Sequence, residues 1–296
     1  MPAQTRAIKR RIKSVTNTRK ITKAMELVAA SKMRKAVNSV FMSRPYAKLA
    51  WETVRSIGKK IDTSQHPLLR ESKTVTRVLV LLVASDRGLA GGYNSNVIKT
   101  AMQEIRRLGE RVEIETICIG KRGADAMRRA GQRILASFTE ITNNTKFEEV
   151  LPIGRMVIHE FSSGRFDKTL LVYTDFVSAI SQKPMMLELL PVGEGEGEGE
   201  GSRRLQPASV SEYTFEPSPS DVLDKILPRL VETMVYQAVL DAAASEHSSR
   251  MMSMRSASDN AAEMIDDLTF TFNQARQAGI TQEIAEISSG KAALEK

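Results

Sequence analysis

Two stretches at opposite ends of this 296-residue chain carry a helical pattern far beyond the length of an ordinary helix. Ala3 to Arg44 contains neither Gly nor Pro, and its apolar residues recur at helical spacing, which predicts a helix of roughly 60 Å. A second helix is predicted from Ser220 onward, with no break between Pro228 and Gly279, a stretch of roughly 75 Å. Helices of globular proteins average about 12 residues. A compact domain of this size cannot bury either helix, so each needs a partner for its apolar stripe.

The simplest partner for each helix is the other one, in an antiparallel coiled coil. Residues 1–60 hold 16 Lys and Arg against two acidic residues, so their charge of +14 exceeds the +8 of the whole chain. Between Asp221 and Glu286, 11 acidic residues face five basic ones, which adds electrostatic complementarity. Small residues on both stretches should let the two backbones approach closely. They are Ala24, Ala29, Ala30 and Ser31 on the first, and Ala242, Ala243, Ala244, Ser245, Ser248 and Ser249 on the second.

The middle of the chain alternates between strand and helix patterns. Val78 to Val83 is a continuous apolar run, typical of a strand that is buried on both faces of a sheet. The patterns that follow predict a small Rossmann-like α/β domain with a parallel sheet, inserted between the arms of the coiled coil. The predicted strands are residues 78–83, 112–119, 133–138 and 169–174, with 185–190 as an edge strand, and the predicted helices are residues 97–108, 124–130 and 147–161.

Composition and element type divide the chain into four parts. Gly193 to Gly201 alternates Gly and Glu, which cannot bury apolar surface, and therefore predicts a flexible loop. Pro45 is expected to kink the first helix, and Pro228 to bend the start of the second. The parts are residues 1–60 (first coiled-coil helix), 74–192 (α/β domain), 193–212 (flexible loop) and 213–296 (second coiled-coil helix).

No group of residues carries an enzyme signature, and no cofactor or metal site is predicted. Ser85 to Asn94 follows a strand and precedes a helix, but it lacks the Gly-Lys-Ser/Thr ending and the G-x-G-x-x-G spacing of phosphate-binding loops. We therefore interpret it as a tight structural turn. The lone Cys118 lies in an apolar strand and is expected to be buried and inert. The histidines His66, His159 and His247 lie far apart and are expected on the surface or in helix packing.

The basic first helix allows two other interpretations. Eleven Lys and Arg against Glu26 between Met1 and Lys35 would suit contacts with phosphates, as in a basic coiled-coil adaptor for nucleic acid or an acidic membrane surface. However, no aromatic residue precedes Phe41 to stack on bases, and the apolar stripe favours a protein partner. A mitochondrial transit peptide is disfavoured because the helical pattern continues past residue 40 without a break.

Four stretches of the chain resemble one family. Ile21 to Lys35, followed by Ser43 to Tyr46, closely resembles the N-terminal helix of the gamma subunit of F-type ATP synthases. The other matches, in the expected order along the chain, are Ser85 to Asn94, parts of Ser245 to Ala261, and parts of Asn273 to Ile287. The resemblance covers both termini and the first strand and turn of the middle domain, which makes it specific.

The resemblance implies a subunit that is not itself an enzyme and binds no cofactor. In that family the terminal helices form an antiparallel coiled coil, the central shaft inside a hexamer of alpha and beta subunits, and an α/β domain packs beside the shaft. The shaft couples proton-driven rotation of the membrane c ring to ATP synthesis at the beta subunits, and the reverse during hydrolysis. The implied partners are the alpha, beta and epsilon subunits and the c ring, with no nucleic acid and with the membrane reached only through the c ring.

Individual residues are carried over from the resemblance. Tyr213 and Glu216 match foot positions near the c ring and the epsilon subunit, and Ile284 to Ala293 resembles the tip that enters the apolar sleeve of the hexamer. A bacterial protein on the cytoplasmic face of the plasma membrane is expected, and the single cysteine excludes the two-cysteine redox insert of the chloroplast type. Positions at the beta-subunit contact, or supporting it, are matched by Met25, Arg250, Arg276, Gln277, Thr281 and Glu283.

Overall fold

Along the sequence, a very long helix lies on each side of a domain that contains both helices and strands. The computed structural model describes residues 3–58, 66–72, 74–109, 111–143, 145–192 and 219–294. The predicted terminal helices are confirmed, with 56 residues in the first and 76 in the last, and Pro45 and Pro228 each lie inside a continuous helix. The helices are α1 (Ala3–Gly58), α2 (Tyr93–Leu108), α3 (Lys121–Arg129), α4 (Phe147–Ser162) and α5 (Pro219–Leu294), with a short 3-10 helix at Pro67–Leu69.

The strands between the long helices form one five-stranded sheet in the order β3-β2-β1-β4-β5. The first four strands are parallel, and β5 runs antiparallel to β4 at the edge. The predicted parallel sheet and its edge strand are therefore confirmed, with boundaries that differ by no more than a few residues. The strands are β1 (Arg77–Val83), β2 (Glu113–Ile119), β3 (Arg133–Phe138), β4 (Lys168–Phe176) and β5 (Gln182–Leu190).

Both faces of the central strand are covered, as its continuous apolar sequence predicts. Alternate side chains of β1 point to opposite faces. Val78, Val80 and Leu82 pack with α2 and α3 on one face. Leu79, Leu81 and Val83 belong to a second cluster that holds residues of α4 together with α5. The first part of α5 is thus a core helix of the α/β domain (β1–β5 with α2–α4), a role that the sequence pattern did not reveal.

The middle of α1 pairs with α5 in the antiparallel direction. Val40 on α1 packs against Leu240 and Ala244 on α5, and Phe176 at the end of β4 completes the cluster. Lys32 lies close enough to His247 for its charge to lower the histidine pKa, whereas Arg44, further along α1, bonds to Asp241, so the α5 partner moves backward as α1 moves forward. The predicted antiparallel pairing is therefore present in this part of the molecule.

The chain separates into two compact units. One comprises Met1–Ala29 together with Met251–Lys296, and the other comprises Ala30–Arg250. The four-part division derived from the sequence remains a prediction, and its flexible loop at 193–212 lies outside the described residues. Within the part of the chain that the structure describes, none of the helices combines the length and the apolar character that crossing a membrane requires.

Candidate functional site

The turn that follows β1 is closed by its own side chains. Ser85 Oγ donates to the Arg87 carbonyl at 2.6 Å, and the Asn94 side chain accepts from the Ser85 backbone N–H at 3.1 Å. Asp86 accepts from the backbone N–H groups of Lys121 and Glu140, which ties the turn to α3 and to the segment after β3. The tight structural turn predicted over Ser85 to Asn94 is present.

The carbonyl groups of this turn face α5. Ser249 Oγ donates to the Ala90 carbonyl at 2.9 Å, and an Arg250 guanidinium nitrogen donates to the Gly88 carbonyl at 3.3 Å. A phosphate-binding loop instead directs backbone N–H groups at its ligand. The turn thus holds a helix of its own chain through hydrogen-bond acceptors.

A second loop at the same edge of the sheet meets α5 in the same way. Parallel strands β1 and β4 end at one edge, which brings the segments that follow them together. Ser245 Oγ donates to the Thr174 carbonyl near the end of β4 at 3.2 Å, and Ser248 Oγ donates to the Ala179 carbonyl at 2.6 Å. We call this set of α5 residues the docking seam; it consists of Ser245, Glu246, Ser248, Ser249 and Arg250.

A buried ion pair lies at the centre of the docking seam. Glu246 and Arg250 lie one helical turn apart, their side chains are 4% and 12% exposed, and the carboxylate and guanidinium are 2.7 Å apart. Thr142, from the segment after β3, donates to the other Glu246 oxygen at 3.0 Å. Burial raises the pKa of the Glu246 carboxyl, while Arg250 and Thr142 act in the opposite direction. Both members of the pair thereby also bond outside α5: Glu246 to Thr142 after β3, and Arg250 to the Gly88 carbonyl after β1.

Two further side chains are buried in this network. Burial raises the pKa of Tyr93 well above its ordinary value, with Glu246 adding to the rise. His247, which the sequence placed on the surface or in helix packing, is 3% exposed. Burial, together with the charges of Arg250 and Lys32, lowers its pKa to about 4. His247 is therefore a neutral, buried side chain between residues of the docking seam.

The sequence assigned the small residues of α5 to the approach of the two long helices. Ala244 does pack against Val40 of α1. Ala242 instead belongs to the core cluster of the sheet, and the three serines of the seam bond to loops of the α/β domain. The signal that could have revealed this is the presence of Glu246 and Arg250 among the small residues, because charged side chains do not suit a coiled-coil seam.

A second charged cluster, centred on the buried Asp241, joins α1, α5 and the sheet. Arg44 donates to Asp241 at 2.7 Å, to Asp175 at 3.0 Å and to the Phe176 carbonyl at 2.8 Å. Gln237 donates to the other oxygen of Asp241 at 3.0 Å. Burial raises the pKa of Asp241 to about 6, although Arg44 opposes the rise. The guanidinium thus bonds to two carboxylates, one on β4 and one on α5.

Most residues predicted to contact beta subunits lie on exposed helix surface. On α5, Arg276, Gln277, Thr281 and Glu283 are exposed, and the Thr281 hydroxyl donates to the Gln277 carbonyl of the same helix at 3.0 Å. Met25 on α1 is partly buried. Arg250 contacts its own chain through the docking seam. Their contact with another subunit remains a prediction, and Tyr213 and Glu216 lie outside the described residues.

Large apolar side chains accompany these polar residues on the C-terminal part of α5. Phe270 is 65% exposed, Ile284 62% and Ile287 73%. On α1, Ile21 and Leu27 are also more than half exposed. Exposed apolar side chains that recur along one element favour contact with another protein.

The remaining sequence-predicted residues agree with their expected environments. Cys118 is fully buried in β2, and burial raises its pKa to about 11. His66 accepts from the Leu68 backbone N–H at the start of the 3-10 helix and lies 3.1 Å from Asp224 on α5. The basic residues of α1 between Arg6 and Lys20 are exposed.

Comparison with protein families identifies the class of protein that combines these helices with this domain. The ATP synthase family model matches residues 4–294, which covers both long helices and the whole α/β domain. The chain is therefore a subunit of the ATP synthase class.

Individual relatives specify the subunit. The chain is 42% identical over 293 residues to the ATP synthase gamma chain of Heliobacterium modesticaldum, covering 98% of each chain. It is 43% identical over 303 residues to the ATP synthase gamma chain of Herpetosiphon aurantiacus, covering 99% of each. The chain belongs to the ATP synthase gamma chain family.

Solved structures share the fold. The central stalk and c-ring structure of the Tetrahymena thermophila mitochondrial ATP synthase matches with a TM-score of 0.58 and 26% identity, over 80% of this chain and 99% of that chain. The rotor of Euglena gracilis matches with a TM-score of 0.62 over 94% of this chain, at 17% identity. The arrangement of long helices and inserted domain is thus also found in ATP synthase central stalks.

Proposed function

We propose that this chain is the central rotor shaft of an F-type ATP synthase, coupling proton-driven rotation of the c ring to ATP synthesis at the beta subunits. The same shaft would turn in reverse during ATP hydrolysis. The observation that carries the proposal is the 42% identity to an ATP synthase gamma chain over 98% of both chains. The proposed partners are the alpha, beta and epsilon subunits and the c ring, and the membrane is reached only through the c ring.

The physical mechanism is a shift of populations among conformations of the beta subunits. A shaft can drive such a change only if it makes different contacts with each conformation. The exposed polar and apolar side chains along the C-terminal part of α5, such as Arg276 and Ile284, supply chemically distinct contacts. The energy comes from charge crossing the membrane, about 2.3 kcal/mol per elementary charge per 100 mV.

The chain itself is proposed to be non-catalytic and to act on the cytoplasmic face of a bacterial plasma membrane. The turn after β1 supports the first point, because its Ala90 and Gly88 carbonyls bond to α5. The named bacterial relatives support the second. The purified chain alone should show no ATPase activity, and fractionation should recover it with membranes that carry the synthase.

The contact with beta subunits is proposed to involve Arg276, Gln277, Thr281 and Glu283, supported by Met25 and Arg250. The first four are exposed on one helix and can present two charges and two uncharged polar groups to a partner. The foot is proposed to include Tyr213 and Glu216. The double variant Arg276→Ala/Gln277→Ala tests the contact, and the matched control is Arg255→Ala/Gln274→Ala, which removes the same side-chain types from exposed positions of α5.

The readout is ATP-driven proton pumping by the reconstituted complex. The Arg276→Ala/Gln277→Ala variant should pump fewer protons per ATP than the control. Pumping equal to that of wild type would contradict the assigned contact residues.

Co-purification separates the rotor from the alternative of a basic adaptor. A rotor should elute in a large complex that hydrolyses ATP, whereas an adaptor should elute alone or with nucleic acid and lose it steeply as salt rises. The gamma chain relatives give the adaptor no support.

A further inference from the structure

The α/β domain contacts α5 in two chemically different ways. From Leu227 to Ala242, the contact is mainly apolar and belongs to the core cluster of the sheet, with one ion pair between Glu232 and Arg155 of α4. From Ser245 to Arg250, every seam residue instead forms a hydrogen bond to a group on the α/β domain. The change occurs at the edge of the sheet where β1 and β4 end.

The two kinds of contact restrain different motions. Apolar burial is non-directional and scales with the area removed from water, so it holds the helix in its groove. Hydrogen bonds weaken steeply as the donor–H···acceptor angle departs from linear, so they hold α5 in one orientation about its own axis. A rotation by one residue position, about 100°, would withdraw Ser248 and Ser249 from the carbonyls of Ala179 and Ala90 together.

Burial makes such a rotation costly. The bond from Ser245 to the Thr174 carbonyl and the bond from Thr142 to Glu246 are buried, so water cannot readily replace them, and a buried polar group without a partner is strongly unfavourable. Ser245 and Ser248 are fully buried, and Glu246 is 3% exposed. Seam residues reach loops after three different strands, so no single loop can adjust to restore the set.

We propose that the docking seam fixes the rotational register of α5 against the α/β domain, so that the helix and the domain turn as one body. Glu246 acts as a positioning residue, because it holds Arg250 toward the Gly88 carbonyl. The proposal rests on the proposed rotor function, since a register matters only if α5 bears torque. Apolar packing also resists rotation, because turning α5 would expose its buried face, and the seam adds a directional restraint at the edge of the sheet.

The test removes two directional bonds without removing apolar contacts. Ser248→Ala/Ser249→Ala deletes one hydroxyl bond to each loop. The matched control is Ser39→Ala/Ser163→Ala, which deletes two hydroxyls whose bonds stay within their own helix or its last turn. Both variants are placed in the complete ATP synthase in proteoliposomes, where amide hydrogen exchange of residues 85–94 and 177–181, ATPase rate and ATP-driven proton pumping are measured.

In the seam variant, loop amides should exchange on the order of tenfold faster than in wild type. Protons pumped per ATP should fall about twofold or more while ATP hydrolysis continues. Ser249→Thr, which keeps a hydroxyl donor, should retain wild-type pumping. The control variant should match wild type in all three measurements. If the double variant does not assemble, Ser249→Ala alone is measured in the same way.

Two results would overturn the proposal. Unchanged loop exchange would show that the seam does not hold the loops, and faster exchange with unchanged pumping would show that the register does not matter for coupling. Either result leaves the proposed rotor function standing. That function would fail on a different observation, namely complexes assembled without this chain that pump protons as well as wild type.

Discussion

The two halves of α5 belong to one continuous helix but have opposite surroundings. Between Leu223 and Ser248, most side chains are buried against the α/β domain or α1, including charged Glu232, Asp241 and Glu246. From Arg255 to Ser289, most side chains are exposed, including Phe270, Ile284 and Ile287. One half is therefore held by its own chain, and the other leaves apolar side chains for partners.

The difference shows how one helix can be fixed to its own chain by one half and can present the other half to partner subunits. The buried half combines an apolar stripe with satisfied ion pairs, so its orientation is determined within the chain. The exposed half forms a compact unit with the N-terminal part of α1 but leaves most of its side chains exposed, and the helix stays continuous through Gly279. Outside the docking seam, substitutions in the buried half should mainly change stability, and those in the exposed half should mainly change coupling.

The largest expected effect on stability comes from breaking the Glu246–Arg250 ion pair at the end of the buried half. Glu246→Ala leaves the Arg250 guanidinium buried without its carboxylate and should lower the free energy of unfolding by about 4 kcal/mol. Thermal unfolding of the purified chain measures this. Glu263→Ala, on the exposed half, should change the value by less than about 0.5 kcal/mol. Equal losses of unfolding free energy in the two variants would contradict the difference between the two halves.

Shortening one apolar side chain in each half should also give clearly different losses of stability. Leu227 is fully buried in the core of the sheet, so Leu227→Ala should cost about 3 kcal/mol of stability through lost burial and a residual cavity. Ile284→Ala removes a side chain of similar size that is 62% exposed and should cost less than about 0.5 kcal/mol. Chemical denaturation reports both values. A comparable loss for Ile284→Ala would mean that this side chain is buried within the isolated chain.

A pH-dependent effect of intermediate size is expected at Asp241. Its pKa of about 6 lies above the ordinary value of 3.8, so the folded chain binds this proton more tightly than the unfolded chain. The resulting stability is fully present below pH 4 and is lost as pH rises through 6, by about 2 to 3 kcal/mol. Relative to Asp241→Asn, wild type should therefore lose stability between pH 4 and 6.5. A stability difference that stays constant over that range would contradict the raised pKa.

The smallest effect on stability is expected where the effect on coupling is greatest. Arg276→Ala/Gln277→Ala alters exposed side chains and should leave the unfolding free energy of the isolated chain within about 0.5 kcal/mol of wild type. Calorimetry of the purified variant provides the measurement. A large loss would place these residues in the internal structure of the chain and would explain reduced pumping without a partner contact.

The sequence predicted the elements of this molecule better than it predicted their contacts. The absence of Gly and Pro and the helical spacing identified α1 and α5, and the continuous apolar run identified β1, because these signals are local. The docking seam joins Ser249 to Ala90 and Glu246 to Thr142, pairs separated by more than 100 residues. Small residues on a helix suit either close helix packing or a hydroxyl bond to a loop, so only the fold distinguishes the two.

Observation of rotation tests the central claim most directly. Because Cys118 is buried and its pKa is raised to about 11, a cysteine introduced at exposed Lys99 on α2 offers a selective attachment point for a fluorescent or bead label. In a surface-fixed complex supplied with ATP, the account predicts that the label turns continuously in one direction relative to the alpha and beta subunits. A label that stays fixed while ATP is hydrolysed would contradict the assignment of this chain as the rotor shaft.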